Sequence, residues 1–183
     1  MKLIKQAFDN FKEMVKGDKV TIENRLEERI ALHVEDKLLN LYSAISDCES
    51  PIEKILAIEL DRVAERSFLN IHPHFLPWTP QKEITLFEGT NREVNYRIDF
   101  MFQYYNHETG VNYSFAIECD GHDFHDRTKE QASRDREKDR NLMLNGIPVI
   151  RFTGSDIYKN PYRCATEAIR IIENYIKNIY RVK

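Results

Sequence analysis

Residues 94–120, VNYRIDFMFQYYNHETGVNYSFAIECD, decide the fold of this chain. Two runs rich in aromatic and β-branched residues, Val94 to Tyr104 and Val111 to Cys119, flank Asn106-His107-Glu108-Thr109-Gly110, a short polar turn ending in glycine. That combination predicts a β-hairpin. A turn centred between Glu108 and Thr109 places Asp99 directly across from Glu118, and opposed residues share a face at roughly 5 Å between Cβ atoms. Alternation in the second strand puts Phe115, Ile117 and Cys119 on one face and Ala116, Glu118 and Asp120 on the other; in the first, it sets Asp99 opposite to both Ile98 and Phe100.

Outward from the hairpin, a further strand is expected at about Lys82 to Phe87, after His72-Pro73-His74 and Pro77-Trp78-Thr79-Pro80, which read as irregular because proline withholds an amide from a sheet ladder. Upstream, Ser50-Pro51-Ile52-Glu53 opens a helix running to about Ser67, with a serine cap, proline at the first helical position and a glutamate able to bond back. Downstream, a highly charged helix spans Thr128 to Asn145 and ends at Gly146-Ile147-Pro148. Val149 to Phe152 make a short buried strand, and Pro161 to about Tyr180 a last amphipathic helix after Asn160. The order helix, three strands, helix, strand, helix is that of an α/β sandwich around a mixed sheet.

The first 48 or so residues read as two helices. Leu3, Ile4, Ala7, Phe8, Phe11, Met14 and Val15 form one helical stripe, Gly17-Asp18 breaks it, and Ile22, Leu26, Ile30, Val34, Leu38, Leu41 and Ile45 form a second. These stripes are expected to pack against the domain or a second copy of the chain. The expected division is therefore an N-terminal helical extension over 1–49 and a single domain over 50–183.

A formal net charge of -3 argues against wholesale attraction to nucleic acid, so any positive field must be local. Cys48, Cys119 and Cys164 are three cysteines, far apart, and suit neither a disulfide framework nor a thiolate zinc site; a reducing cytoplasm is the expected compartment. The opening MKLIKQAFDNFKEMVK lacks the apolar block of a secretory signal, and no segment reads as a membrane span.

Asp99, Glu118 and Asp120 are thus expected on one patch, where they repel one another unless something cationic sits among them. A divalent cation is one solution, and hard oxygen ligands suit Mg²⁺ or Mn²⁺. Pairing with Arg97, Arg151 or another base, or a bulge that splays the acids apart, is the other. Crowding also predicts that removing the Asp120 charge relaxes the metal-free fold. His122 and His125, just after Gly121, where the chain is expected to turn sharply, could transfer a proton, orient a phosphate or add a ligand.

On the charged helix Gln131, Arg134 and Lys138 share a stripe that could present cations to a phosphate. Acids and bases balance there, however, as on a solvated face with pairs such as Glu130-Arg134, and Gln131 is equally placed to complete a capping box with Thr128.

From Ser50 to about Tyr162 the chain resembles the PD-(D/E)XK, or restriction-endonuclease-like, nuclease superfamily, and within it the small bacterial branch related to very-short-patch repair endonucleases. Ser50-Pro-Ile-Glu53, Tyr96-Arg-Ile-Asp99-Phe100, Glu118-Cys-Asp-Gly-His-Asp-Phe-His125, Arg134-Asp135 and Gly146-Ile-Pro-Val-Ile-Arg-Phe152 carry the resemblance together, by order and spacing. It implies a restriction-endonuclease-like α-β-β-β-α-β core, a mixed sheet flanked by helices, plus the N-terminal extension. It also implies Glu53 as the helix acid, Asp99 and Glu118 as metal ligands, the Cys119 carbonyl as a further ligand, and a Mg²⁺- or Mn²⁺-dependent cut in DNA leaving a 5′-phosphate.

Two positions depart from the pattern: Ile98 replaces the signature proline, and Asp120 stands in place of the signature lysine. Lys138 or Arg134, arriving from the next helix, is the candidate substitute cation. Glu118 or Asp120 is then the group that orients or deprotonates water, with His125 or a helix base on phosphate, and His122, Gln131 and Arg134 toward the nucleic acid. The expected partners are DNA and a second copy of the chain through the N-terminal helices, with no membrane. The missing lysine keeps open a catalytically silent nucleic-acid-binding or scaffold module of the same fold.

Overall fold

The structure, a computed structural model, describes residues 19–67, 77–107, 109–121 and 129–181. The expected helix over Leu3–Val15 with its Gly17-Asp18 break, and His72, His74, His122, His125 and Thr128, lie outside these residues. The chain divides into two units, Met1–Leu39 and Asn40–Lys183. In the first, helix α1 (Lys19–Asp47) begins and runs without a break past the boundary. Its last turns belong to the second unit, where Ala44 and Cys48 are buried and Leu41 and Ile45 pack against the main core. The boundary therefore falls ten residues before the expected one at Ser50, because the helix carries core residues to its end.

The second unit continues through α2 (Pro51–Ala64), β1 (Trp78–Leu86), β2 (Val94–Asn106), β3 (Val111–Asp120), α3 (Lys129–Leu144), β4 (Val149–Thr153), α4 (Gly154–Lys159) and α5 (Pro161–Arg181). The strands form one mixed sheet in the order β1-β2-β3-β4, with β1, β2 and β3 antiparallel in turn and β4 parallel to β3. A parallel neighbour needs a crossover, and α3 supplies it. Among the described residues no helix is long and apolar enough to cross a membrane.

One sheet face presents Phe100, Phe102, Phe115, Ile117, Ile150 and Phe152 to Leu56 and Leu60 of α2 and to Ile169, Ile172 and Ile176 of α5. The buried residues of α5, Cys164, Ala165, Ala168, Ile169, Ile172 and Ile176, recur at helical steps, so its sequence stripe becomes its core face. A smaller core on the other face joins Leu142 of α3 to Leu86, Ile98, Met101 and Ala116.

Three local expectations are corrected. β1 begins at Trp78 and includes Pro80, because among the described residues β1 is an edge strand with β2 as its one neighbour, where a missing amide is tolerated. The short helix α4 was not expected; Thr153 caps it, its hydroxyl accepting the Asp156 N–H at 3.1 Å. Ile98 and Phe100 also do not share a face. Ile84, Leu86, Tyr96 and Ile98 belong to the smaller core, whereas Trp78, Phe100 and Phe102 belong to the main one. Side-chain alternation inverts in both strands at Gln81 and Asp99, where pairing passes from Pro80↔Phe100 to Lys82↔Ile98 and Gln81 takes φ +48°.

Leu142 is the one buried residue of α3, at 0% exposure, whereas Leu144 is 69% exposed. Leu142→Ala should cost about 2–5 kcal/mol in urea unfolding. Leu144→Ala should stay within about 0.5 kcal/mol of the parent.

Candidate active site

The hairpin adopts the expected register, from Asn106↔Val111 down to Phe100↔Ile117. One step further along lie Asp99 and Glu118, and there the side chain of Asp99 takes over: its Oδ2 accepts the Cys119 N–H at 2.7 Å. Alternation in β3 also follows expectation. Phe115, Ile117 and Cys119 pack in the main core, Ala116 packs in the smaller one, and Glu118 and Asp120 are buried polar groups at its edge.

Helix α3 reaches this edge with Lys138. Its Nζ lies 2.8 Å from Oε1 and 2.9 Å from Oε2 of Glu118, and it donates to the Arg97 carbonyl at 2.7 Å. Only the Oε2 contact has hydrogen-bond geometry, so Oε1 is a buried acceptor held by charge attraction alone. Parallel pairing sets Arg151 of β4 beside Glu118. The guanidinium turns along the strand, with Nη1 3.0 Å from Asp120 Oδ1 and 3.9 Å from Glu118, and Nη2 2.6 Å from Asp139 on α3. Burial works to lower the Arg151 pKa, but Asp139, Glu118 and Asp120 outweigh it and raise the value, so this cation is permanent.

Glu53 is buried at the start of α2, and the expected cap forms: the Ser50 hydroxyl accepts the Glu53 N–H at 3.3 Å and donates to Glu53 Oε1 at 2.5 Å. Its Oε2 accepts from the Glu49 N–H at 3.0 Å and from Gln81 Nε2 at 2.6 Å. Glu53 is close enough to Asp99 to raise its pKa. The structure thus draws Glu53, Asp99, Glu118, Asp120 and Lys138 to one edge of the sheet.

Of the other expected residues, Gln131 and Arg134 are exposed on α3, and the Cys119 side chain belongs to the main core, its thiol held protonated by burial and by Asp99 and Glu53. Gly121 has no left-handed φ, and the residues that would complete the expected turn after it lie outside the described ones. Gln81 and Asp139 were missed. An arginine inside the short strand Val149-Ile-Arg-Phe-Thr153 was the available signal for a buried charge network, and Asp139 was hidden among the helix's other acids.

Burial is the largest cause of raised carboxyl pKa values here. It dominates at Asp99, opposed by the Cys119 amide, and it pushes Glu118 up to about 7 despite Lys138, with Asp99 adding to the rise. The anticipated repulsion between acids is present but secondary.

Among the described residues, no group of three or more His, Cys, Asp or Glu side chains is arranged to hold a metal ion. The acids are engaged by bases instead: Lys138 lies on Glu118, and Arg151 lies on Asp120 and Asp139. Asp120 is therefore a partner of Arg151. Donor chemistry at Asp99 and Glu118 still fits a hard cation, because both are hard carboxylate oxygens, and at Glu118 that cation would take the place of the Lys138 ammonium 2.8 Å from Oε1. Among the described residues, Lys138 and Arg151 are the bases paired with Glu118, Asp120 and Asp139.

Comparison with known proteins finds no match to the chain among family models, curated proteins or solved structures.

Two outcomes follow from the pairing. Asp120→Asn should destabilise the protein by about 1–3 kcal/mol in denaturant, since it weakens a charge-assisted bond to Arg151, and this reverses the expectation from crowding alone. For Glu118, a folded pKa of about 7 against an ordinary 4.5 means that its favourable contribution is complete below about pH 4.5 and is lost as pH rises through 7. Glu118→Gln mimics the protonated form. Its melting temperature should gain on that of the parent between pH 4.5 and pH 8, and a constant difference across that range would contradict the raised pKa.

Proposed function

We propose that this chain is a divalent-cation-dependent nuclease that hydrolyses DNA phosphodiester bonds, with the restriction-endonuclease-like arrangement of its α/β elements. The observation that carries this reading is the acid pair Asp99 and Glu118 at the end of the β2–β3 ladder with the Lys138 ammonium on Glu118. A cation from α3 at the strand acid answers the absence of lysine at position 120, so the acid and base types of the superfamily's signature come together from different elements.

Asp99 and Glu118, with the Cys119 carbonyl, hold Mg²⁺ or Mn²⁺ in this reading. The bound cation supplies an activated water and charge stabilisation at the phosphoryl oxygens. Asp99 is oriented by the Cys119 amide, which leaves its second oxygen for the ligand. Glu118 must release both its proton and Lys138 to ligate, so occupancy rises with pH across about 7. Lys138, anchored at the Arg97 carbonyl, then faces phosphate. A cleft of about 820 Å³ lined by Glu83, Thr85, Asn95, Arg97, Asp99 and Lys138 offers the substrate a path to these groups. Arg151 holds Asp120 and Asp139, tying β3, β4 and α3 together behind the site.

The competing reading is a catalytically silent nucleic-acid-binding or scaffold module, and it draws on the same ion pairs, which neutralise Glu118 and Asp120 from within. Plasmid and single-stranded DNA incubated with the full chain in Mg²⁺, Mn²⁺ or EDTA separate the two. Metal-dependent cleavage, lost by orders of magnitude in Asp99→Asn, is the expected result; DNA that stays intact with every metal overturns the nuclease reading. Lys138→Ala is expected to split two measurements: Mn²⁺ binds more tightly because its competitor at Glu118 is gone, while turnover falls by about 100-fold or more. Turnover and affinity both at parental values would return Lys138 to a surface role.

A further inference from the structure

Gln81 is a polar residue in the interior of an edge strand, and its backbone adopts φ +48°, a conformation that side-chain-bearing residues rarely take. It stands in the gap of the β1–β2 ladder, across from Asp99, where side-chain alternation inverts. The side chain is equally constrained. A carboxylate oxygen only accepts, so the amide nitrogen must face Glu53 Oε2, which it meets at 2.6 Å. This orientation leaves Gln81 Oε1 buried with no hydrogen-bond partner among the described residues. An unfavourable backbone and an unsatisfied carbonyl at one residue, both beside the acid pair, are costs that fold stability does not select.

We propose that Gln81 is a positioning residue of the acidic site: its amide fixes the Glu53 carboxylate beside Asp99, and its left-handed backbone makes the strand inversion that sets Asp99 at the ladder's end. Glu53 then acts on the bound cation through Asp99, and Gln81 acts through Glu53. This inference rests on the cation-dependent reading above.

Two substitutions separate positioning from folding. Gln81→Gly removes the amide and relieves the backbone, so its melting temperature should exceed that of Gln81→Met, which removes the amide but keeps the unfavourable φ. Titration calorimetry of Mn²⁺ into the full-length chain, with Asp99→Asn as the non-binding reference, is the readout independent of activity. Both variants should bind Mn²⁺ about 10–100-fold more weakly than the parent, by the same factor, and cleave DNA correspondingly less at limiting metal. Parental Mn²⁺ affinity in both variants, or an affinity that follows melting temperature rather than the missing amide, overturns the role of Gln81 alone. A parent chain that binds no Mn²⁺ overturns the cation-dependent reading and this inference with it.

Discussion

Helix α3 is fastened to the sheet by charge. Only Leu142 of its 16 residues is buried, and one such side chain contributes about 1.5–3 kcal/mol, too little to order a helix of this length. Polar attachments add to it: the Lys138 ammonium on Glu118 and the Arg97 carbonyl, Asp139 on Arg151, and the Asn141 amide on the Tyr96 hydroxyl. Since α3 is the crossover that makes β4 parallel to β3, the pairing at Glu118 and Arg151 underlies the sheet as well as the site. A ligand that competes for Glu118 therefore acts on the attachment of a whole helix.

The hairpin register was legible because it depends on local chemistry: a glycine-terminated turn, with Gly110 at φ +69°, joins two strands whose faces must match. That register put Asp99 beside Glu118 in advance. Alternation within β3 was legible for the same reason. The inversion at Gln81 was not, since nothing in Pro80-Gln81-Lys82 distinguishes a left-handed glutamine from an ordinary edge-strand residue. The start of β1 was misplaced because the proline rule holds for central strands, and edge position is a property of the assembled sheet.

At the site, residue types were more legible than partnerships. Asp120 and Glu118 are two positions apart on one strand face and look equivalent in sequence, yet one meets Arg151 at 3.0 Å and the other meets Lys138. Which base reaches which acid is decided by the crossover and by the parallel register of β4, neither of which is encoded near residue 120. The same applies to the cause of the raised pKa values. Sequence proximity suggested repulsion, but burial under α3 and the edge of the smaller core is larger for both Asp99 and Glu118.

These features share one geometric origin. Because alternation flips at Gln81 and Asp99, β1 and β2 give Trp78, Phe100 and Phe102 to the main core on one side of the flip and Ile84, Leu86, Tyr96 and Ile98 to the smaller core on the other. The residue at the crossing belongs fully to neither core. Its carboxylate is then partly desolvated and still reaches the Cys119 amide at the end of the ladder. A regular strand would have committed position 99 to one face, and burying a carboxyl on either face without a partner is costly. The irregular backbone at Gln81 is thus the structural condition under which a half-buried acid can stand at the sheet's edge with one oxygen satisfied by the Cys119 amide.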